Sequence, residues 1–213
     1  TPDGQLFTDN DNFEDQISPE MIIVPKKQPI CQNTSYYVFY IQYKYTPSSK
    51  AENPNVDILI HCDEVMPGHS VNGSSIELYS GNNNEFNVWF TVSDFIGNTD
   101  NRRLYVVYRE GISAGTGESK ILKYDVSPSG LSTASTLATS TTEYWEPSEV
   151  ELTHDMDKLI FVRPKHIAEM GADNTNDLNI VSLDASTGDI IGSGITNTFD
   201  LGPTNSTDDK YIG

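Results

Sequence analysis

Several groups of residues in this 213-residue chain have types and spacings that could carry chemistry. Gly111-Ile112-Ser113-Ala114-Gly115 matches the pattern of a nucleophile elbow, in which a strained strand-to-helix turn raises a serine hydroxyl beside an oxyanion hole. Thr-Gly-Glu-Ser-Lys and a further strand-like run follow it here, so no helix supplies that geometry and a hairpin loop accounts for Ser113 better. Asp9, Asp11 and Asp15, in Asp9-Asn10-Asp11-Asn12-Phe13-Glu14-Asp15, alternate as calcium ligands would, yet Phe13 breaks the pattern and neither the glycine nor the closing glutamate of a calcium loop is present. A solvated acidic turn explains them, as it does Asp173-Asn174-Thr175-Asn176-Asp177. His61-Cys62-Asp63-Glu64 with His69 contains zinc-ligand types, but a structural zinc needs four converging ligands, and neighbours on a strand point to opposite faces. No metal site is therefore expected, and calcium at Asp9, Asp11 and Asp15 is the one cofactor candidate.

Carboxylates and aromatics are the remaining candidates. Glu149 and Glu151 share a strand face, with Glu146 just before them, and two carboxylates ~5–9.5 Å apart can hydrolyse a glycosidic bond. An acidic surface strand gives the same spacing, so no catalytic residue is assigned. Trp89, Tyr144 and Trp145 could form a stacking platform for a sugar or a peptide, although strands of this kind also use such residues for packing, Trp89 above all.

The elements that would position these groups are strands. Helical periodicity is confined to Pro164-Lys-His-Ile-Ala-Glu-Met-Gly171, which has proline and glycine at the ends a short helix favours. Runs rich in Val, Ile, Tyr, Phe and Trp, bounded by turn residues, predict strands at 20–25, 36–45, 56–63, 75–80, 86–92, 103–109, 121–126, 149–153, 158–163, 178–184 and 189–195. The fold class is all-β.

The pattern repeats. Leu104-Tyr105-Val106-Val107-Tyr108 after the turn at Asp100 to Arg103 is answered by Leu159-Ile160-Phe161-Val162 after His154-Asp155-Met156-Asp157-Lys158, 55 residues later. The acidic turns at Asp125 and Asp184 stand 59 residues apart. A looser copy runs from Met21 to Asp63, and Ser206-Thr207-Asp208-Asp209-Lys210-Tyr211-Ile212 begins a fourth. Repeats of ~40–60 residues with four strands each are the signature of β-propeller blades, which stack because no blade covers its own faces.

Thr153-His154-Asp155-Met156-Asp157-Lys158-Leu159-Ile160-Phe161 resembles the Ser-Pro-Asp-Gly-Lys-x-Leu-x-Phe hairpin of WD-type propeller repeats, and Leu183-Asp184-Ala185-Ser186-Thr187-Gly188 resembles their Leu-Asp-x-x-Thr-Gly turn. Met156 stands where that hairpin has glycine. The order of Ile23-Val24-Pro25, Tyr36-Tyr37-Val38-Phe39, Arg103-Leu104-Tyr105-Val106-Val107 and Trp145-Glu146-Pro147-Ser148-Glu149-Val150 also resembles large secreted and surface propeller proteins of Bacteroidota associated with type IX secretion. This resemblance implies three four-stranded antiparallel blades at 18–80, 81–143 and 144–202. Residues 1–17 would belong to a preceding or closing blade, and 203–213 would open a further one. Since closed propellers take 4–8 blades, an incomplete propeller is implied, with further blades from this or another chain. It further implies a secreted or cell-surface setting, a protein or glycan partner, and a binding or scaffold role rather than catalysis, with a polysaccharide hydrolase as the alternative. In a blade, the first connection and the exit of the third strand lie at one end, which would bring Cys31 and Cys62 together as a disulfide in a secreted protein. The triplets at Asn33, Asn72 and Asn205 would matter in a glycosylating host.

Composition narrows the classes further. Thirteen Lys and Arg against 31 Asp and Glu leave a net charge of −18, which excludes a cationic grip on a phosphate backbone. Tyr aside, apolar runs reach only four residues, against ~20 for a membrane-spanning helix. Ser, Thr and Asn number 21, 19 and 17, so the polar excess is mostly uncharged. The start Thr1-Pro2-Asp3-Gly4 fits a processed protein or an excised segment. Much of the acid falls at the inter-strand turns, where Asp hydrogen-bonds locally to backbone N–H groups.

Overall fold

The computed structural model describes residues 16–28, 35–46, 55–66, 71–82, 87–110, 118–140, 149–164 and 175–203. Every regular element among them is a strand: β1 (Gln16–Pro25), β2 (Tyr36–Thr46), β3 (Asn55–Val65), β4 (Val71–Asn82), β5 (Asn87–Val92), β6 (Arg102–Glu110), β7 (Glu118–Ser127), β8 (Gly130–Leu131), β9 (Ser135–Ser140), β10 (Val150–Leu152), β11 (Lys158–Pro164), β12 (Thr175–Leu183) and β13 (Ile190–Pro203). They form three antiparallel sheets, ordered β1-β2-β3-β4, β5-β6-β7 with β8 and β9 on the outer edge of β7, and β10-β11-β12-β13. Each sheet is an open meander in which chain neighbours are sheet neighbours, except that β9 skips the two-residue β8 to pair with β7. The strands divide between two compact units, β1–β4 in the first and β5–β13 in the second.

In the first unit, the side-chain period of two decides what is buried. Tyr37, Phe39 and Ile41 on β2 and Ile58, Ile60 and Cys62 on β3 all point to one face and are buried, with Phe39 opposite Cys62 and Ile41 opposite Ile60. Full burial of each large side chain stabilises by roughly 1.5–3 kcal/mol. The other face carries a polar network. The Tyr40 hydroxyl donates to Asp63 Oδ2 at 2.8 Å, its ring stacks on His61 at 4.6 Å, and His61 Nε2 lies 2.9 Å from Gln42 Oε1.

In the second unit, two sheets pack face to face. Leu104 through Tyr108 are all buried, and β6 reads as a continuous apolar run. Its odd positions Tyr105 and Val107, with Ile121 of β7, meet Val150, Leu159, Phe161, Val181 and Leu183 of the third sheet in one core. Trp89, Leu137, Ala138, Ile190 and Ile195 pack at its margin. Corresponding strands meet: β5 lies beside β10 at one edge, and β9 beside β13 at the other.

A polar clasp sets how these two sheets sit. Asp184 folds the turn after β12 by accepting from the N–H groups of Ser186 and Thr187 at 2.8 and 3.2 Å. That turn directs its carbonyls at the second sheet. Arg103 donates to Ala185 O at 2.9 Å and also to Ser186 O; Lys123 Nζ donates to Thr187 O at 2.8 Å; the Tyr105 hydroxyl donates to Gly188 O at 3.2 Å. Lys123 additionally pairs with Asp189 at 2.5 Å. Four successive carbonyls are therefore matched to three side chains whose stems lie in the core. Gly188 allows this approach: it has φ +73°, and a Cβ there would stand 2.5 Å from both Arg103 Cδ and the Tyr105 oxygen.

Several expectations change in detail. β8 and β9 lie in a stretch where no strand is expected, because Ser-Thr-Leu-Ala-Thr-Ser lacks the aromatic and β-branched alternation that marks the other strands. Pro164, read as a helix start, is the last residue of β11, opposite Asn176. The rest of that helix reading, 165–171, lies outside the described residues. Met156 takes the glycine-like conformation itself, with φ 56°, held by its N–H donating to Thr153 O at 2.8 Å. Asp184 caps its turn through its carboxylate as expected, whereas Asp125 uses its backbone, its N–H donating to Ser132 Oγ at 2.9 Å and its carbonyl accepting from Ser132 N at 2.9 Å.

Two outcomes are expected. Gly97→Ala, at φ 57° with nothing near the added methyl group, loses about 1–2 kcal/mol of stability to left-handed backbone strain alone, whereas Gly188→Ala adds the collision with the clasp and loses more than about 3 kcal/mol in urea unfolding. The pH profile has two limbs. Hydrogen bonds hold carboxyls below their ordinary range at Asp189 (from Lys123, then Thr187), Asp184 (from the Ser186 side chain, then the turn N–H groups) and Asp157 (from Lys158, then Thr153). Their contribution is present above the unfolded value of ~3.9 and is lost as pH falls through the depressed folded values. Burial pushes Tyr105 and Tyr124 up to about 12, so their contribution is full below the unfolded value of ~10 and is lost as pH rises toward 12. Urea midpoints from pH 3 to 11 should be level in between, and Asp189→Asn should shrink the acid limb alone.

Candidate functional site

The described residues with unspent polar chemistry meet where β5 and β10 leave their sheets. Thr91 to Asp94 on one side and Glu151 to His154 with Met156 on the other enclose a cleft of about 120 Å³. Two turns place these groups. The Arg102 guanidinium, on a side chain only 6% exposed, donates to Ser93 O at 2.7 Å and lies 3.7 Å above the centre of the Phe95 ring, which pins the turn that carries Asp94. Burial lowers the Arg102 pKa, and Asp94, 3.9 Å away, acts in the opposite direction. On the other wall, Thr153 closes its turn twice. Its hydroxyl donates to Asp157 Oδ1 at 2.9 Å and accepts from Lys158 N at 3.1 Å, which presents His154 outward.

The result is a small polar cleft with Asp94, Glu151 and His154 on its walls. His154 Nδ1 lies 3.6 Å from Asp94 Oδ2, both side chains mostly exposed, a geometry worth ~0–1 kcal/mol when the imidazole is charged. Ser93 Oγ is occupied, donating to Asp94 O and accepting from Arg103 N. At about 120 Å³ the cleft holds a few waters, well below the ~300–1,000 Å³ of pockets that enclose organic ligands. No cluster of three or more metal-ligating side chains occurs among the described residues.

The residues singled out in the sequence fall in different places. Trp89 is half-buried on β5 and packs against the core between the two sheets. Tyr144, Trp145 and Glu146 lie outside the described residues, as do Asp9, Asp11, Asp15, Ser113, His69 and Asp173. Glu149 and Glu151 are exposed on one side of the chain at β10, with Val150 buried between them, and Glu151 alone reaches the cleft. Strand alternation sends Cys62 into the core and His61 to the opposite face, beside Tyr40 and Gln42. Cys31 lies outside the described residues, so its pairing with Cys62 is not tested by the fold. The register Tyr36 opposite Val65 does bring the exit of β3 to the end where β1 connects to β2. Arg102, Arg103 and Lys123 were legible only as charges at the start and in the middle of buried strands, which is itself the signal that they have dedicated partners.

No protein-family profile, curated protein or solved structure matches this chain. No helix among the described residues is long and apolar enough to cross a membrane.

Arg102→Met keeps the stem over Phe95 but leaves the buried Ser93 carbonyl without its donor. It should lower stability by about 1–3 kcal/mol in urea unfolding and speed amide exchange at residues 93–95, leaving exchange on β11 and β12 unchanged.

Proposed function

We propose that this chain is a segment of a β-propeller serving as a non-catalytic binding or scaffold module of a larger secreted or cell-surface protein, with a protein or glycan partner. The observation that carries the reading is the stacking in the second unit. Two meanders of repeating order lie face to face, inner edge beside inner edge and outer beside outer, and the first grips the acidic turn of the second. Successive propeller blades pack in this way.

The third sheet has a further face. Ile160 opposite Ile180, Val162 opposite Leu178, and Phe199 opposite Leu178 on its other side form an apolar row on the side away from the core, half-buried except for Phe199, which is 52% exposed. This row occupies the position that Tyr105 and Val107 occupy on the second sheet, where the third sheet covers them, and it suits a further blade. Binding rather than turnover fits a polar cleft too small for a substrate.

The native chain should bind a hydrophobic dye at this face, and Ile180→Lys with Phe199→Lys should remove that binding without changing the β-type circular dichroism. In a screen of glycans and proteins, ligands should be retained unaltered. Polysaccharide turnover abolished by Glu149→Gln or Glu151→Gln would replace this reading with a hydrolase.

A further inference from the structure

The seam between β9 and β13 joins two sheet edges. Among the described strands β9 pairs with β7 alone and β13 with β12 alone, and residues from both ends of this seam line a shared groove of about 420 Å³. Ser135 to Thr139 form one wall, and Asp189, Ile190 and Gly192 form the other. The floor is apolar, since Leu137, Ala138 and Ile190 belong to the margin of the core, while Ser135, Thr136 and Thr139 are exposed along the rim. Gly192 adds no obstruction, and even a Cβ there would meet nothing within 4 Å.

We propose that this groove is a strand-addition site that takes an extended, lysine- or arginine-bearing segment of a partner protein. Sheet edges in soluble proteins are ordinarily guarded by charge, proline, a β-bulge, short length or a covering element. β9, Ser-Thr-Leu-Ala-Thr-Ser, has neither charge nor proline. Its one guard is a bulge, a register shift between the partners of Ile121 and Leu122 that leaves Leu137 without a partner on β7 and its side chain in the floor, so the backbone on either side of Leu137 is what an added strand would use. An added strand would gain backbone hydrogen bonds along about six residues, with alternate side chains entering the apolar floor.

Charge selects the occupant. The Lys123–Asp189 pair at the groove is oriented with its cation inside, 9% exposed, and its carboxylate outside, 57% exposed, so a partner meets the negative end. The chain as a whole carries −18, which disfavours a second copy and draws a cationic segment. The inference supplies a partner for the binding role proposed above, yet it stands on these two edges and not on the number of blades.

The test uses a decapeptide alternating Lys with Val and Thr, its Glu-for-Lys counterpart, and a version of the Lys peptide N-methylated at alternate residues, titrated into the ¹⁵N-labelled chain. The Lys peptide should protect amides of residues 135–139 and 190–192, bind at least tenfold more tightly than the Glu peptide, and lose at least tenfold on N-methylation. Thr136→Lys should weaken it about tenfold with an unchanged Tm. Equal binding of the Lys and Glu peptides, indifference to N-methylation, perturbations confined elsewhere, no perturbation at millimolar peptide, or concentration-dependent protection of β9 without peptide would each overturn the proposal. Failure here alongside retention of a glycan or protein at another surface would leave the binding-module reading standing.

Discussion

Three donors on one sheet facing four successive carbonyls on the next is the constraint that organises the second unit. Apolar faces such as Tyr105, Val107 and Ile121 against Leu159, Phe161 and Val181 supply most of the burial, but hydrophobic contact is non-directional and would tolerate sliding. Arg103, Lys123 and Tyr105 remove that freedom, because each must find its own carbonyl in the turn from Ala185 to Gly188. Leaving Lys123 buried without a partner would cost more than its pair contributes, so the clasp acts chiefly by penalising every other placement.

The same turn links the packing to the surfaces on either side. Its end, Asp189, begins the wall of the outer groove, and its start is tied to the Thr153–Lys158 hairpin through Leu183 N donating to Asp157 O at 2.7 Å. That hairpin carries His154 and Met156 to the inner cleft. Inner cleft, core and outer groove are thus three parts of one seam. The small cleft has room for a few ordered waters, and the longer groove is where we propose that a partner segment binds.

The acid of the chain also takes on a more divided meaning. Asp184 and Asp157 are used locally, one capping backbone N–H groups and the other receiving Thr153 and Lys158. Asp189 compensates a buried lysine. Asp94 and Asp125 remain exposed and contribute to the surface field. Asp in a turn position is consistent with all of these roles, and only the neighbours across the seam distinguish them.

Much of the architecture was legible by itself. A period of two over Tyr37, Phe39 and Ile41, and unbroken apolar runs such as Leu104 to Val107, dictate strands and their buried faces, since alternation and continuity are properties of one segment. The acidic turn at Asp184 was legible for the same reason, as its hydrogen bonds are made within three residues. β9 was not, because Ser, Thr and Ala state no preference and its strand exists through pairing with β7. Trp89 could serve a ligand or the core, and its place at the core margin shows only once a further sheet lies against it. Met156 could be seen at a glycine position, but that it accepts φ 56° depends on the hairpin closed around it. The sequence alone determined most of the strands and where the chain turns between them, since those depend on neighbours along the chain. Which strand edges meet, what Arg103 and Lys123 hold, and where a groove opens were decided by tertiary structure, because they depend on groups distant along the chain, 64 to 83 residues apart in the clasp.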